Sequence, residues 1–202
     1  MNEKRNFFEI KIDKEKQLDF REIFGNDNPI HLEIGSGRGE FISLKSLLLW
    51  NKNFLGIELK DKRIEDTLKK LDLEKHKNVR LMRLFVDENI TKVIPTESIE
   101  HIYIIHPDPW PKRKHHKNRL IQHEFIDALY KILKIKGILE INTDHEEYAL
   151  WILNIFRQRD DFKIFYENGF TTIPPEGHIV THFEAKKRKE GFEPFFMKFK
   201  KI

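Results

Sequence analysis

Five carboxylates stand at equivalent places in this chain. Glu33, Glu58, Asp87, Asp108 and Asp144 lie at or just beyond the ends of the short apolar runs Ile30–Ile34, Phe54–Ile57, Val79–Phe85, Ile99–Ile105 and Gly137–Asn142. A single acid in such a place is a solvated loop residue or a helix cap. Five in succession, on the side of a sheet where ligands bind, point to a ligand rich in donors or positive charge. The first acid opens a glycine-rich turn, Glu33-Ile34-Gly35-Ser36-Gly37-Arg38-Gly39-Glu40. Gly35 and Gly37 let the backbone turn sharply and approach a ligand closely. A pyrophosphate does not suit this turn, because the dinucleotide pattern G-x-G-x-x-G needs glycine at 40, and Glu40 and Glu33 both repel phosphate.

A second group of residues follows the fourth apolar run. Pro107, Pro109 and Pro111 fix the backbone around Asp108 and Trp110, which predicts a stiff loop. Between 112 and 119 come five Lys or Arg residues, two His and no acid, so the local charge of +5 exceeds the +4 of the whole chain. Alone, such a run is as well read as a solvated surface as a phosphate-binding strip. Behind an Asp held between prolines and an aromatic ring, it suggests a nucleic-acid base brought to a group donor. Trp110 can stack on that base or pack beneath the loop. His115 and His116, adjacent in a basic run and lacking a nearby third ligand, make a poor zinc site, and no metal is expected.

An adenosine-containing ligand with no phosphate and with a sulfonium and an ammonium group fits the acids best. S-adenosylmethionine is such a ligand. Glu58 is then placed to accept from a ribose diol and Asp87 to face the adenine amine.

These residues need a scaffold that brings strand ends together. Four helical patterns, Glu40–Leu49, Lys62–Leu73, His123–Ile135 and Glu146–Arg157, alternate with the apolar runs, and two further strands are expected at Lys163–Tyr166 and Pro194–Phe199. Strand and helix in alternation predict an α/β fold: a seven-stranded, mostly parallel sheet with helices on both faces. Gly137 is expected to stop the third helix, and Asp144 could cap the fourth. The last two strands are joined by sequence without helical period, which predicts an antiparallel pair. The 202 residues suit one domain, 1–202, with 1–28 as an N-terminal arm. With no cysteine, thiolate chemistry and Cys-ligated metals are excluded. No apolar run reaches the roughly 18 residues of a membrane span, so a soluble cytoplasmic protein with no membrane partner is expected.

The motifs resemble those of the bacterial tRNA (guanine-N7-)-methyltransferase family over nearly the whole chain. The match runs through Glu33-Ile34-Gly35-x-Gly37-x-Gly39-x-Phe41, Gly56-Ile57-Glu58, Asp87, the specific Pro107-Asp108-Pro109-Trp110-Pro111-Lys112-Arg113-Lys114-His115-His116-Lys117, Asn142-Thr143-Asp144 and Thr181-His182-Phe183-Glu184. His106 departs from it, standing where an apolar or aromatic residue is expected. The resemblance implies a class I, Rossmann-like methyltransferase that moves a methyl group from S-adenosylmethionine to N7 of a guanine in the variable loop of tRNA (position 46 in tRNA numbering), releasing S-adenosylhomocysteine. It implies cofactor contacts at Glu33, Glu58, Asp87 and Asp108, with Asp108 also catalytic. Contacts to tRNA or guanine are implied at Lys112, Asp144 and Thr181 to Glu184. No obligatory protein partner is expected; the chain would act as a monomer or homodimer. Three other readings are an amino-group methyltransferase, whose loop carries a second proline where this chain has Trp110, a noncatalytic RNA-binding protein, and a nicotinamide oxidoreductase.

Overall fold

The computed structural model describes residues 1–13 and 16–202. The chain begins with helix α1 (Asn2–Phe8), a two-residue strand β1 (Glu9–Ile10) and a short helix α2 (Phe20–Phe24). Strand–helix alternation follows: β2 (Ile30–Ile34), α3 (Glu40–Leu48), β3 (Asn53–Glu58), α4 (Asp61–Lys70), β4 (Val79–Arg83), β5 (Ile99–Ile105), α5 (His123–Ile132), β6 (Leu133–Thr143) and α6 (Glu146–Arg157). It ends with β7 (Phe162–Ile164), α7 (His182–Lys189) and β8 (Phe195–Lys201).

The strands form one sheet in the order β1-β4-β3-β2-β5-β6-β8-β7. It is parallel from β1 to β6, while β8 runs antiparallel to both β6 and β7. The strand order reverses between β2 and β5, so the loops after these two neighbours open a crevice at the switch point. Every residue of β2 and β3 is buried, as expected for central parallel strands covered on both faces. Phe41, Ile42, Ile64 and Leu68 of α3 and α4 pack with Phe54 and Leu81. Phe125, Leu129, Ile152 and Phe156 of α5 and α6 pack with Leu32, Leu55 and Ile102. Phe54 and Leu55 are consecutive in β3 and serve opposite faces, as strand alternation requires.

The α/β class, the parallel sheet and the antiparallel end agree with the sequence. Four details differ. The sheet has eight strands rather than seven, because β1 pairs with β4 through only two residues and leaves no alternation to read. Gly137 does not end α5. That helix stops at Ile132, Gly137 lies inside β6, and Lys201 Nζ donates to the carbonyls of Tyr130 and Leu133 at 2.9 and 2.8 Å. A Cβ at Gly137 would meet the Lys134 carbonyl oxygen at 2.7 Å, so the glycine serves an irregular stretch where β5 and β6 shift register. Asp144 is not the cap of α6; His145 is, its Nδ1 accepting from the Tyr148 amide at 3.3 Å. The segment before β8 contains α7, with only Phe183 and Ala185 apolar among its eight residues, too few for a helical period. The arm, residues 1–28, supplies β1 and the fully buried Phe8.

Candidate active site at the sheet switch point

Glu33, the penultimate residue of β2, has 2% of its surface exposed. Burial, reinforced by the neighbouring Glu58 charge and partly offset by the Ile42 amide, pushes its carboxyl up to about 8. Its Oε2 is buried with no hydrogen-bond partner. A buried carboxylate oxygen without a donor is costly and suits a cationic or hydrogen-bonding ligand. Glu58 has partners on both oxygens: Oε1 accepts from the Leu59 and Lys60 amides, both at 2.9 Å, and Oε2 accepts from the Gly37 amide at 3.0 Å with Arg63 Nη1 at 3.5 Å. It ties the glycine turn to the start of α4. Gly35 and Gly37 adopt φ of 79° and 56°, which side-chain-bearing residues rarely reach. Asp87 caps the 3₁₀ turn Glu88–Lys92 by accepting from the Asn89 amide at 2.9 Å. It opens onto a cleft of about 670 Å³, lined also by Ile10, Ile12, Leu84 and Phe85 but not by Glu33 or Glu58.

The loop after β5 is rigid. His106 and Trp110 both have left-handed backbones, φ 49° and 43°, a cost that persists only where the surroundings enforce it. The His106 amide donates to the Asn142 carbonyl at 3.0 Å. At the other end Arg119, 2% exposed, donates from Nε to the Pro109 carbonyl at 2.8 Å and from Nη2 to Glu147 at 3.0 Å. Its guanidinium lies over the rings of Tyr148 and Trp151 at 5.1 and 5.0 Å. Arg119 is thus an internal strut and does not belong to the phosphate-facing strip. His116 is likewise half-buried, 3.4 Å from Glu147. Lys112, Arg113, Lys114 and Lys117 are exposed, as is Asp108. Trp110 is 38% exposed and edge-on to His115, ring centroids 5.8 Å apart.

Asp144 and Glu184 meet on the far side of this loop, with His106 between them. Asp144 Oδ1 lies 3.4 Å from His106 Nδ1, and this bond first of all holds the Asp144 carboxyl below its usual range. Glu184 has no exposed surface. Burial alone would raise its carboxyl, but the nearby His106 and the hydrogen bonds of His178 and Arg188 pull it well below the usual range. His178 Nε2 is 2.8 Å from its Oε2, and Arg188 Nε is 2.8 Å from its Oε1. Thr181 caps α7, its Oγ1 accepting from the Glu184 amide at 3.2 Å. Two long-range bonds seat the segment: Glu40 Oε2 accepts from the His182 amide at 2.6 Å, and Lys45 Nζ donates to the Gly177 carbonyl at 2.7 Å.

The structure therefore gathers Glu33, Gly35, Gly37 and Glu58 into one cluster and Asp144, Thr181 and Glu184 into another, with Asp108 and Lys112 on the loop between them. Asp87 lies in the loop after β4, whose Leu84 amide donates to the Glu58 carbonyl at 3.3 Å, and lines the adjoining cleft. Sequence reasoning missed Glu40 as the tether of α7, Arg119 as the strut of the loop, and His106, His178 and Arg188 as partners of the buried acids. The Glu40 pairing spans 142 residues and leaves no local signal, whereas the i,i+4 spacing of Glu184 and Arg188 was a signal that could have been read. Among the described residues no group of three or more His, Cys, Asp or Glu could hold a metal ion, and no helix is long and apolar enough to cross a membrane.

A family model described as "Putative methyltransferase" matches residues 27–197. The tRNA (guanine-N(7)-)-methyltransferase of Vibrio vulnificus is 35% identical over 193 residues, covering 95% of this chain and 81% of that protein. The protein of the same name from Buchnera aphidicola is 37% identical over 185 residues, covering 92% and 76%. Among solved structures, a SAM-dependent methyltransferase from Aquifex aeolicus superposes with a TM-score of 0.57 at 13% identity, covering 91% of this chain and 88% of that one; at that identity the likeness concerns the fold. The fold, its switch-point acids and identities sustained over most of both chains agree, and the chain belongs to the tRNA (guanine-N(7)-)-methyltransferase family.

Proposed function

We propose that this chain methylates N7 of a guanine in tRNA, with S-adenosylmethionine as donor and position 46 of the variable loop as target. The observation that carries the reading is the donorless Glu33 Oε2 at the switch point, one loop away from exposed cations at 112–117. A buried acid asks for a cationic ligand, and the neighbouring strip suits a polyanion. The name of the relatives, tRNA (guanine-N(7)-)-methyltransferase, supplies the substrate.

The residues fit the donor. Glu33 lies deepest, where a positive group would satisfy it, and the Gly35 and Gly37 backbone can approach closely. Glu58 Oε2 has a lone pair left for a ribose hydroxyl, and Asp87 serves the adenine end. S-adenosylmethionine supplies a methyl group on a sulfonium. Guanine N7 carries a lone pair and no proton, so no general base is required of the protein. Alignment and charge carry the rate instead. Asp108, exposed on the strained loop between the two clusters, offsets the positive charge that develops on the base. Asp144, Thr181 and Glu184 serve the guanine edge, and Lys112 serves phosphate. Glu184 reaches a base only by exchanging or sharing its His178 and Arg188 bonds. The chain acts in the cytoplasm without an obligatory protein partner, as monomer or homodimer, and residues 1–202 work as one domain.

Incubation with labelled S-adenosylmethionine and unmodified tRNA, followed by borohydride reduction and aniline cleavage, tests the reading. Cleavage at the variable-loop guanine is expected; incorporation of label without cleavage would overturn methylation at N7.

A further inference from the structure

His106 is buried at the site and has no part in the reaction as described. Its side chain is 5% exposed, with Nδ1 3.4 Å from Asp144 Oδ1 and Nε2 3.9 Å from Glu184 Oε2. The Phe183 ring centroid lies 5.0 Å away. Both ring nitrogens are buried and neither makes a well-formed hydrogen bond. A neutral imidazole has one N–H and one lone pair, so between two carboxylates it must turn the lone pair toward an anion. Only the imidazolium offers each carboxylate a proton.

We propose that His106 is a positioning residue: as an imidazolium it clamps Asp144 to Glu184, seats α7 against the loop after β5, and sets both carboxylates before the target base arrives. The proposal rests on the reading of the site as a tRNA methyltransferase. Its backbone is suited to the task, because the His106 amide is fixed to Asn142 through both the carbonyl and the side-chain oxygen, at 3.0 and 3.2 Å. The charged groups around the ring are few. Glu184 on α7 also bonds Arg188 and His178, whereas His106 is the side chain paired with Asp144, Lys187 acting on that acid only as a nearby charge. Burial alone would lower the imidazole, but Asp144 and Glu184 outweigh it and raise it above 6.5. The clamp is therefore present below the raised value and is lost as pH rises through it. Asp144 is the acid it releases, since Glu184 retains its other donors.

Nuclear magnetic resonance of the full chain labelled with ¹³C-histidine tests the clamp without reference to activity. The resonance missing from His106→Phe should titrate above 6.5 and move lower in Asp144→Asn. Protection factors of the amides of residues 182–189, corrected for the intrinsic rise of exchange with pH, should fall above that midpoint and be low at every pH in His106→Phe. In methyl transfer, wild-type KM for tRNA should rise about tenfold across the midpoint, the weight of one charge-assisted hydrogen bond. His106→Phe should show the higher KM at all pH. His106→Gln, which keeps an N–H donor toward Asp144, should lie between them without a pH dependence. Packing alone would give no titration and no split between KM and kcat. A midpoint at or below 6.5, or a wild-type KM–pH curve in His106→Phe or His106→Gln, overturns the proposal. Failure of the wild-type chain to methylate N7 removes the functional reading, and the histidine titration and amide exchange still decide the clamp.

Discussion

Glu33 and Asp108 are both carboxylates of one active site, and their surroundings give them different chemistry. Glu33 is buried beside Glu58 and its carboxyl is raised from 4.5 to about 8, so the empty protein carries it largely protonated at neutral pH. A raised carboxyl contributes stability that is complete below 4.5 and lost as pH rises through about 8. A cationic ligand reverses the preference and draws the proton off. Binding of S-adenosylmethionine near pH 7 should therefore release close to one proton, and its affinity should climb with pH and level off above about 8. Calorimetry in buffers of different ionisation enthalpy reads the proton directly; Glu33→Gln should bind more weakly and release none. Wild-type binding with no buffer dependence would count against Glu33 as the cofactor's acid. Asp108 is exposed, and its part is in the transition state. Asp108→Ala should lower single-turnover methyl transfer at saturating cofactor by about 100-fold or more, the scale of a lost electrostatic stabiliser. A near-wild-type single-turnover rate would end its catalytic assignment. Both acids were legible in the sequence because strand ends are local features. The state of Glu33 was not, since it depends on how deeply β2 lies between two layers of helices.

Among the elements, the loop after β5 shows how one run of sequence divides into two tasks. Residues 112–119 read as a uniform basic strip, yet its last member turns inward. Arg119 bonds Pro109 and Glu147 and lies over two aromatic rings, whereas Lys112 stays in solvent. The two positions should therefore fail differently. Arg119→Ala removes the strut of a backbone held at strained angles and leaves Pro109 and Glu147 without their donor. It should lower kcat about tenfold or more, through misplacement of Asp108, with little change in the salt dependence of tRNA binding. Lys112→Ala should leave kcat nearly intact, weaken tRNA binding and reduce the salt slope by about one. Binding titrations at several salt concentrations alongside single-turnover rates separate them, and equal effects of the two variants would refute the division. Composition could not show this division, because charge is read residue by residue while burial depends on Tyr148 and Trp151 of α6. Helices α3 to α6 were legible because each buries an apolar stripe against the sheet. Helix α7 was not, since the distant Glu40 and Lys45 bonds seat its segment and little apolar burial supports it.

For the whole molecule, a net charge of +4 understates its attraction for a polyanion, because opposite charges are kept at different places. Acids line the crevice at the sheet's switch point and cations stand exposed at 112–117, with Lys186 and Lys189 exposed on α7. Lys163 and Lys200 are also exposed and face each other across β7 and β8. They lie five residues along β8 from Phe195, the partner of Thr143 at the crevice end, a distance of about 17 Å. If total charge governed tRNA binding, any two lysines would serve equally. If the phosphates lie along the loop, only those beside the crevice count. Reversing Lys163 and Lys200 to Glu takes the net charge from +4 to 0, as does reversing Lys114 and Lys117. The first pair should leave the slope of log K against log salt nearly unchanged. The second should flatten it by about two and weaken binding at low salt, since each lost phosphate contact removes roughly 0.9 from the slope. Fluorescence anisotropy with one labelled tRNA across a salt series measures both. Equal flattening by the two pairs would mean that long-range steering, and not a phosphate track beside Asp108, brings the substrate to the site.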